Sequence, residues 1–432
     1  ARTGQAYIES LKDNRQVWIG NQAVKVTEHA PFKGSISGMA GYYDWQNRYA
    51  EDCLVEDPDT GERINASLLV PRSADDLQKR HRAYERLARY SYGMLGRTPD
   101  YCNTALCGQI ARADIFEPGE KRFYDNLVRY RQEVVAGDLS MTHTIINADI
   151  DRAVDQCVGL NAELGLKVVD RTRNGLIVRG AKVLATLAPF ANEIYVYPSR
   201  PVFKGGEDFA TSFAIPIDTK GLITVCRDHY GTEASQIDQP FSSRFDEQDA
   251  FMIFDNVEVP WERVFIDGNL DVHNAVAPAV FRGNMAQQVA IRAMVKLEFA
   301  YDLCTETARI TNSDKYPPTA QMLGEIYGYL TLTRAMIFSA EARAYDWGAG
   351  AFFPHGDLNI IRTVMPGWML RVNDIIQTLG GHNLLCTPEL AAFENPEIGD
   401  LLKKYLVGAN GITPEHRANV MRTAWDFAGS AL

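Results

Sequence analysis

An imidazole, a guanidinium and a phenol hydroxyl are the side chains of this sequence best suited to acid–base chemistry. His143 lies in the segment THTIIN (residues 142–147), and a neutral imidazole near physiological pH can accept a proton from a weak acid. Arg97 and Tyr101 flank the start of a predicted helix, where negative charge is favoured. These residues could therefore surround an anion in a cleft. The alternatives are a structural histidine, an ion pair between Arg97 and Asp100, and a half-buried tyrosine.

Helices are expected to position Arg97 and Tyr101. Ser73 is a good N-cap, and Asp76 three residues later completes a capping box. The apolar residues that follow recur at helical spacing and predict one buried stripe: Leu77, Tyr84, Leu87 and Tyr90. The next helix is predicted to start at Thr98-Pro99, with the threonine as cap and the proline in the first turn.

Short β-rich runs dominate the middle of the chain and would carry His143. Glycine-containing turns separate them, with little helical pattern between. The predicted runs are residues 166–169, 175–180, 193–197, 210–217, 222–227 and 251–254. Evenly spaced strands of this kind predict a mostly antiparallel barrel or sandwich.

The helical pattern returns in the last third. Residues 366–381 begin near a proline, end at Gly380-Gly381 and carry apolar residues at helical spacing. Residues 285–306 and 321–345 are long and rich in alanine, as in a tightly packed bundle. The sequence thus predicts an α+β protein with a mainly helical domain over residues 1–138, a β-barrel domain over 139–266 and a helix bundle over 267–432.

Composition narrows the possible functions. The 432 residues are 46% hydrophobic and 23% charged, as expected of a globular protein. The net charge of −11 argues against nucleic acid or an anionic membrane as a partner, because both need clustered basic residues. No apolar run of membrane-spanning length and no apolar signal core at the start are found, so a cytoplasmic location is expected.

Common cofactor and catalytic motifs are absent from the sequence. It has no GxGxxG after a strand, no P-loop, no HExxH, no GxSxG and no Cys/His cluster with zinc spacing. Its seven cysteines are scattered without a CxxC pair, which favours buried thiols over a disulfide frame. We therefore expect no metal, and a cofactor bound by a fold with few sequence motifs.

Several segments together resemble the oxygenase component of the 4-hydroxyphenylacetate 3-monooxygenase family. They are residues 2–8 (RTGQAYI), 91–101 (SYGMLGRTPDY), 142–152 (THTIINADIDR) and 241–264, which includes SSRFDE and VPWERV. The resemblance runs from residue 2 to near the end, and GRTPDY is specific to this family group. It implies an acyl-CoA dehydrogenase-like fold: a helical domain, a β-barrel domain and a helix bundle through which the family forms tetramers or dimers.

The resemblance also implies an activity. The family adds a hydroxyl ortho to the hydroxyl of a small phenol, with 4-hydroxyphenylacetate as the leading candidate here. Oxygen reaches the phenol from a hydroperoxide at the flavin C4a carbon, formed from O2 and FADH2 that a separate NAD(P)H:flavin reductase supplies. In the family the chain continues past the point matching Leu432, and that segment helps to close the flavin site; the flavin site inferred here is therefore expected to be incomplete.

Roles for individual residues follow from the same resemblance. His143 binds the phenol, and Arg97 and Tyr101 contact the substrate and the reactive oxygen. The substrate's side chain is held at Ser199 and Arg200, where Arg200 could pair with a carboxylate. Flavin-contacting positions match Asp149, Ile150, Asp151, Arg152 and Thr186. Among these, Arg152 could meet the pyrophosphate, and the Thr186 hydroxyl could bond the ring near N5.

Three alternatives remain open from the sequence. A 4-hydroxybutyryl-CoA dehydratase or vinylacetyl-CoA isomerase would need an iron–sulfur cluster, but residues 281–296 contain no Cys or His to complete a set with Cys102 and Cys107. An acyl-CoA dehydrogenase would need a catalytic glutamate that cannot be placed. A non-catalytic scaffold on a retained fold is disfavoured by the presence of Arg97, Tyr101 and His143.

Overall fold

The computed structural model describes residues 1–148 and 150–430, which form a mixture of helices and sheets. Its helices are α1 (Gly4–Glu9), α2 (Lys33–Arg48), α3 (Ala50–Cys53), α4 (Ala74–Tyr90), α5 (Pro99–Ala111), α6 (Lys121–Gly137), α7 (Gly159–Leu164), α8 (Leu270–Val280), α9 (Ala286–Thr311), α10 (Pro317–Ala342), α11 (Ile361–Gly380), α12 (His382–Cys386), α13 (Gly399–Tyr405) and α14 (Pro414–Ala428). In the part of the chain described, no helix combines the length and apolar character needed to cross a bilayer.

The strands coincide with every β-rich run predicted for the middle of the chain, and further strands occur on either side. They are β1 (Gln16–Ile19), β2 (Gln22–Val24), β3 (Leu54–Glu56), β4 (Arg63–Asn65), β5 (Met141–Thr144), β6 (Lys167–Arg171), β7 (Gly175–Thr186), β8 (Glu193–Val196), β9 (Thr211–Pro216), β10 (Leu222–Cys226), β11 (Asp249–Pro260), β12 (Val264–Asp267), β13 (Tyr345–Asp346) and β14 (Phe352–Phe353).

Two open sheets stand where the sequence predicts a closed barrel. Within the described residues, one sheet has the order β2-β1-β10-β11-β7-β6 and the other the order β12-β9-β8-β5. The sheets meet where β5 faces β7, but side chains make most of this seam: the Thr142 hydroxyl donates to the Thr186 carbonyl at 2.6 Å, and the Thr144 hydroxyl to the Leu184 carbonyl at 3.0 Å. A backbone bond from the Val183 N–H to the Ile146 carbonyl at 2.9 Å also crosses the seam, but β5 is laddered to β8 and not to β7, so no continuous backbone ladder joins the sheets there.

Helix α4 begins as predicted, although only half of its capping box forms. The Ser73 hydroxyl accepts from the Asp76 backbone N–H at 3.2 Å. The Asp76 carboxylate accepts instead from the Arg72 backbone N–H at 2.9 Å, so it does not return to Ser73. The predicted apolar stripe is buried at Leu77, Tyr84 and Leu87.

Helix α5 is the central element of the fold, since every one of its residues is buried. Pro99 opens it as predicted, but Thr98 does not cap it with its side chain. The Tyr101 N–H donates to the Thr98 backbone carbonyl at 3.0 Å instead, in a tight first turn. A helix buried on all sides is held from every direction, which fixes where Tyr101 points.

The C-terminal part packs α9, α10, α11 and α14 around a shared apolar core. Helix α11 starts at Ile361, so Pro366 lies inside it and not near its start as the sequence predicts. Its buried stripe is nonetheless the predicted one, at Val372, Ile375 and Ile376. Proline is tolerated better in the first turn of a helix than in its interior, so the sequence prediction took Pro366 as the start of the helix and placed the boundary too late.

Candidate active site

The structure brings Arg97, Tyr101 and His143 together in one buried pocket. The rings of Tyr101 and His143 meet edge to face, with centroids 5.1 Å apart. The Arg97 guanidinium carbon lies 4.1 Å from the centroid of the Tyr101 ring, in a cation–π contact. Tyr101 is 7% exposed and His143 8% exposed, so water reaches neither freely. A cation, a phenol hydroxyl and an imidazole thus share one dry space.

Strand pairing places His143. It lies on β5, whose residues run parallel to β8 with His143 opposite Tyr195. Two residues further along the chain, the Tyr197 hydroxyl makes a short hydrogen bond with the His143 Nδ1. Burial raises the pKa of Tyr197 well above its ordinary value, so this hydroxyl keeps its proton. Tyr197 therefore fixes the plane of the imidazole and leaves Nε2 for another partner.

Glu247 holds Arg97 in place. Its Oε1 accepts from the backbone N–H groups of Gly96 and Arg97, both at 2.5 Å. Burial of the Arg97 guanidinium would lower its pKa, but attraction to Tyr101 and Glu247 outweighs it and raises the pKa above the ordinary value. Arg97 is therefore a permanent cation at the pocket.

His143 is neutral in the folded protein. Burial first, and the Arg97 charge second, lower the pKa of His143 from 6.5 to about 3. A phenolate bound between them would replace part of that repulsion by attraction and would favour a protonated ring. The unliganded pocket thus holds a proton acceptor that gains a proton only when an anion arrives.

This depressed pKa predicts an acid-sensitive fold. The unfolded chain takes up a proton at His143 below about pH 6.5, whereas the folded imidazole stays neutral to about pH 3, so stability is lost as the pH falls through that window. At about pH 4 the loss from this group is about 3 kcal/mol. A His143→Gln variant should therefore lose that much less of its free energy of unfolding between about pH 7 and pH 4, as measured by urea unfolding. Equal losses in both proteins would mean that the imidazole is not shielded.

Ser199 and Arg200 follow β8 and line a small polar cavity beside Tyr197. The Ser199 hydroxyl donates to the Ile145 carbonyl at 2.9 Å. The Arg200 carbonyl lies 3.3 Å from the His273 Nε2. Because Tyr197 contacts His143 on one side and lines this cavity on the other, the two predicted substrate residues lie next to the pocket.

A larger cavity of about 600 Å³ adjoins the seam between the sheets. Its walls are apolar at Ile146, Val183 and Leu184, and polar at Asp151 and Arg152. The volume is in the range of cofactor and ligand sites, and an apolar wall beside a charged rim suits a flat ring system with a phosphate tail. The described residues thus fit a flavin at this position.

The predicted flavin residues differ in their surroundings. Asp149 lies outside the described residues. The backbone N–H groups of Ile150 and Asp151 donate to the Asn161 side-chain oxygen at 3.0 and 2.9 Å, which shapes the loop at the cavity rim. The Thr186 hydroxyl donates to the Asp249 carboxylate at 2.7 Å, while its carbonyl accepts from Thr142, the neighbour of His143.

Sequence reasoning missed Tyr197 and Glu247. These residues contact the pocket across 54 and 150 residues of chain, and no local spacing signals such contacts. Glu247 belongs to the SSRFDE segment on which the family resemblance rests, so the sequence marked this position but gave no function for its side chain. Cys102 and Cys107 are buried in α5, where the Cys107 thiol donates to the Leu68 carbonyl at 3.1 Å.

Comparison with known proteins gives consistent matches over the whole length. The family described as 4-hydroxyphenylacetate 3-hydroxylase matches with its N-terminal part over residues 3–266 and its C-terminal part over residues 274–432. The oxygenase component of 4-hydroxyphenylacetate 3-monooxygenase from Thermus thermophilus is 35% identical, over 99% of this chain and 88% of the relative. The oxygenase component of a 4-nitrophenol 2-monooxygenase from Rhodococcus is 32% identical, over 99% of this chain and 83% of the relative.

Comparison with solved structures gives the same family. The crystal structure of a 4-hydroxyphenylacetate 3-monooxygenase oxygenase component complexed with FAD and 4-hydroxyphenylacetate superposes with a TM-score of 0.94 at 34% identity, covering 100% of this chain and 90% of that one. A 4-hydroxybutyryl-CoA dehydratase from N. maritimus has a TM-score of 0.88 at 21% identity, covering 99% and 86%, which shows a shared fold alone.

Proposed function

The chain belongs to the 4-hydroxyphenylacetate 3-hydroxylase family, and we propose that it is the oxygenase component of a two-component monooxygenase that hydroxylates a small phenol ortho to its hydroxyl. The supporting observation is the buried cluster of Arg97, Tyr101 and His143, together with a cavity that fits a flavin and is lined by Ile146, three residues beyond His143. 4-Hydroxyphenylacetate is the first substrate to test, because a structure so similar to this one holds it together with FAD.

The pocket residues act on the phenol. The His143 Nε2 accepts the hydrogen bond, and finally the proton, of the phenol hydroxyl, while Tyr197 holds the ring from Nδ1. Arg97 stabilises the negative charge that develops on the phenol oxygen, which pushes electron density to the ortho carbon. Tyr101 supports Arg97 through its ring and offers a hydroxyl to an incoming oxygen atom. Together these groups make the ortho carbon nucleophilic.

Reduced FAD, with O2 as co-substrate, would supply the activated oxygen when bound. The residues proposed to hold it are Ile150, Asp151, Arg152 and Thr186, together with Asp149 from the family resemblance. Arg152 would meet the pyrophosphate at the rim of the cavity. Thr186 is proposed near the ring from the family resemblance alone, because it does not line the cavity and its hydroxyl donates to Asp249. A separate NAD(P)H:flavin reductase would deliver the reduced flavin.

Assembly through the C-terminal helices belongs to the same proposal. Phe338 on α10 and Leu370 on α11 are 75% and 74% exposed, and Leu385 on α12 is 75% exposed. Large apolar side chains exposed to this degree on neighbouring helices are typical of protein–protein contacts. A homodimer or homotetramer would bury them.

The proposed function is tested by supplying the protein with FAD, a flavin reductase, NADH, oxygen and a panel of para-substituted phenols. The expected result is a catechol product that appears only when the protein is present, with its new hydroxyl next to the old one. A matching reaction without the protein measures the hydrogen peroxide that free reduced flavin makes. Peroxide alone with every phenol would contradict the proposal.

A further inference from the structure

One face of β8 carries three side chains that can hold a proton, and this row begins at His143. Successive side chains of a strand point to opposite faces, so Glu193, Tyr195 and Tyr197, which directly follows the strand, lie on the same face. The rings of Tyr195 and Tyr197 are in contact, with centroids 4.8 Å apart. In the ladder with β5, Tyr195 stands opposite His143 and Glu193 opposite Met141. The row therefore leads from the imidazole along the strand to a carboxyl group.

His143 is joined to the row by the short hydrogen bond between its Nδ1 and the Tyr197 hydroxyl. The phenol is proposed to meet Nε2, so the neutral ring must carry its hydrogen on Nδ1 and donate it to the Tyr197 oxygen. The Tyr197 O–H can then donate to a further acceptor. A proton taken up at Nε2 thus has a way out through Nδ1.

The middle of the row contains buried polar atoms that have no hydrogen-bond partner among the described residues. They are the Tyr195 hydroxyl, the Tyr130 hydroxyl on α6 and both amide atoms of Gln109 on α5. The rings of Tyr130 and Tyr195 have centroids 6.3 Å apart. Burial raises the pKa of Tyr195 well above its ordinary value, and the Gln109 amide beside its hydroxyl opposes this rise. Because buried polar atoms are almost always satisfied, often by ordered water, these orphans on three elements indicate buried water between them.

Glu193 ends the row close to the surface. It is 5% exposed, and its carboxylate pairs with Arg263 at 2.9 Å. Arg263 also pairs at 2.8 Å with Glu133, a partly exposed carboxylate on α6. The Arg263 guanidinium carbon lies 5.1 Å from the centroid of the Tyr130 ring, so this charged group borders the middle of the row as well. The outer end of the row is therefore in contact with charges that face solvent.

The electrostatics of Glu193 suit a group that both takes up and releases protons. Burial raises the pKa of Glu193 to about 7; Arg263 opposes this rise, and the charges of Glu133 and Asp218 add to it. Burial first, and the Glu193 charge second, raise the pKa of Tyr130 well above its ordinary value, so the phenol hydroxyl and the carboxyl group interact. A carboxyl group that titrates near neutral pH can pass protons to water in both directions.

We propose that Glu193 is the outer end of a proton relay that runs along β8 and exchanges the proton of the bound phenol with solvent. The inference rests on the proposed function and adds to it residues that act on the phenol only through His143. Tyr195, Tyr130 and Gln109 would hold the water that connects Tyr197 with Glu193.

The relay moves protons and no electrons. The phenol O–H bond breaks as Nε2 of His143 gains a hydrogen, and Nδ1 gives its hydrogen to the Tyr197 oxygen while Tyr197 passes its own to water beside Tyr195. From that water the proton reaches the Glu193 carboxylate and then bulk water. Tyr197 gains one proton as it gives up another, in agreement with the raised pKa that keeps its hydroxyl neutral. The reverse sequence returns a proton to the ring.

A pH jump on the bound phenol tests the relay without any hydroxylation. The probe is 4-nitrophenol, whose phenolate absorbs visible light, bound to an excess of the protein with reduced FAD under anaerobic conditions. After rapid mixing with a more alkaline buffer, the absorbance reports how fast the bound phenol loses its proton. In Glu193→Gln and in Tyr195→Phe we expect this step to be about ten- to hundredfold slower than in the parent. The affinity for 4-nitrophenol and the pKa of the bound phenol should stay close to those of the parent, whereas a purely structural role would alter them and leave the rate unchanged.

The pH dependence of the same rate is a second readout. Only the ionised Glu193 carboxylate accepts a proton, so the parent's rate should rise as the final pH of the jump increases through about 7. Glu193→Gln should lack this rise, because an amide does not titrate there. Glu193→Asp should retain it, because it keeps a carboxyl group.

Tyr7→Phe and Asp57→Asn are the matched controls. Tyr7 is a buried tyrosine whose hydroxyl donates to the Phe190 carbonyl at 2.7 Å, and Asp57 is a buried carboxylate paired with Arg131 at 2.8 Å. Neither belongs to the row, so both variants should keep the parent's rate.

Two results would overturn the relay, and they differ in what they say about the proposed function. Parent rates in both Glu193→Gln and Tyr195→Phe would show that the proton leaves by another way, while the proposed function stands. Failure of the parent to bind 4-nitrophenol or 4-hydroxyphenylacetate would contradict the proposed function, and the relay with it.

Discussion

A His143→Ala variant is expected to form catechol about 10²- to 10⁴-fold more slowly than the parent, while oxygen consumption continues and ends as hydrogen peroxide. The reason is that the residues around His143 and the residues that line the cavity for the flavin are different. His143 lies against Tyr101 and Tyr197, whereas the cavity that fits the flavin is walled by Ile146, Val183 and Leu184. Removing the imidazole would take away the proposed proton acceptor of the phenol and leave the walls of that cavity intact.

The measurement is the fraction of consumed oxygen recovered as catechol and as hydrogen peroxide. A second variant, Tyr197→Phe, removes the hydroxyl that orients Nδ1 and should lower the catechol fraction less than His143→Ala does. His29→Ala serves as control, because its ring packs against Phe32 outside the pocket. Catechol formation by His143→Ala at the parent rate would show that the imidazole has no part in the reaction.

The second large effect is expected from Arg97→Met, which removes the cation that we propose faces the phenol oxygen. Arg97 is buried, and its charge acts at close range in a medium of low dielectric, where a fixed positive group stabilises a developing anion strongly. We expect catechol formation to fall about 10²- to 10³-fold. Arg97→Lys should recover part of the rate, since it restores charge without the planar fork.

A spectroscopic readout separates this electrostatic role from a purely structural one. Ultraviolet difference titration of the bound phenol reports its pKa, which should lie well below the free value in the parent and return toward it in Arg97→Met. Arg244→Met is the matched control, because Arg244 also stacks on an aromatic ring, with its guanidinium carbon 4.5 Å from the Phe245 centroid. A bound phenol with the same pKa in parent and Arg97→Met would contradict the role.

The sequence predicts the elements better than their assembly. Each β-rich run in the middle of the chain became a strand, and the stripe of α4 is buried, because both follow from local periodicity. The barrel prediction is wrong within the described residues, since closure depends on whether β5 and β7 share a ladder or are joined by threonine side chains. How the two strands meet depends on contacts between residues forty positions apart in the sequence, which local patterns do not predict.

For the candidate site, too, the sequence predicted the central residues better than the contacts that hold them. The family resemblance is confirmed, and the structure unites Arg97, Tyr101 and His143, whose roles stay predictions until the variants are measured. The residues that orient them, Tyr197 and Glu247, could not be inferred from spacing. They reach the pocket through strand order and through a loop that folds back onto the start of α5, and both depend on the whole fold.

The seam between the two sheets has a mechanical consequence. The His143 imidazole, which we propose binds the phenol, belongs to the four-stranded sheet, whereas the apolar wall at Val183 and Leu184 belongs to β7 of the six-stranded sheet. With the ligands where we propose them, the gap that an oxygen atom must cross would depend on the Thr142 and Thr144 hydroxyl contacts that join the two sheets. On the proposed function, substitutions at these two threonines would change the fraction of consumed oxygen that ends in product, although every reacting group stays the same.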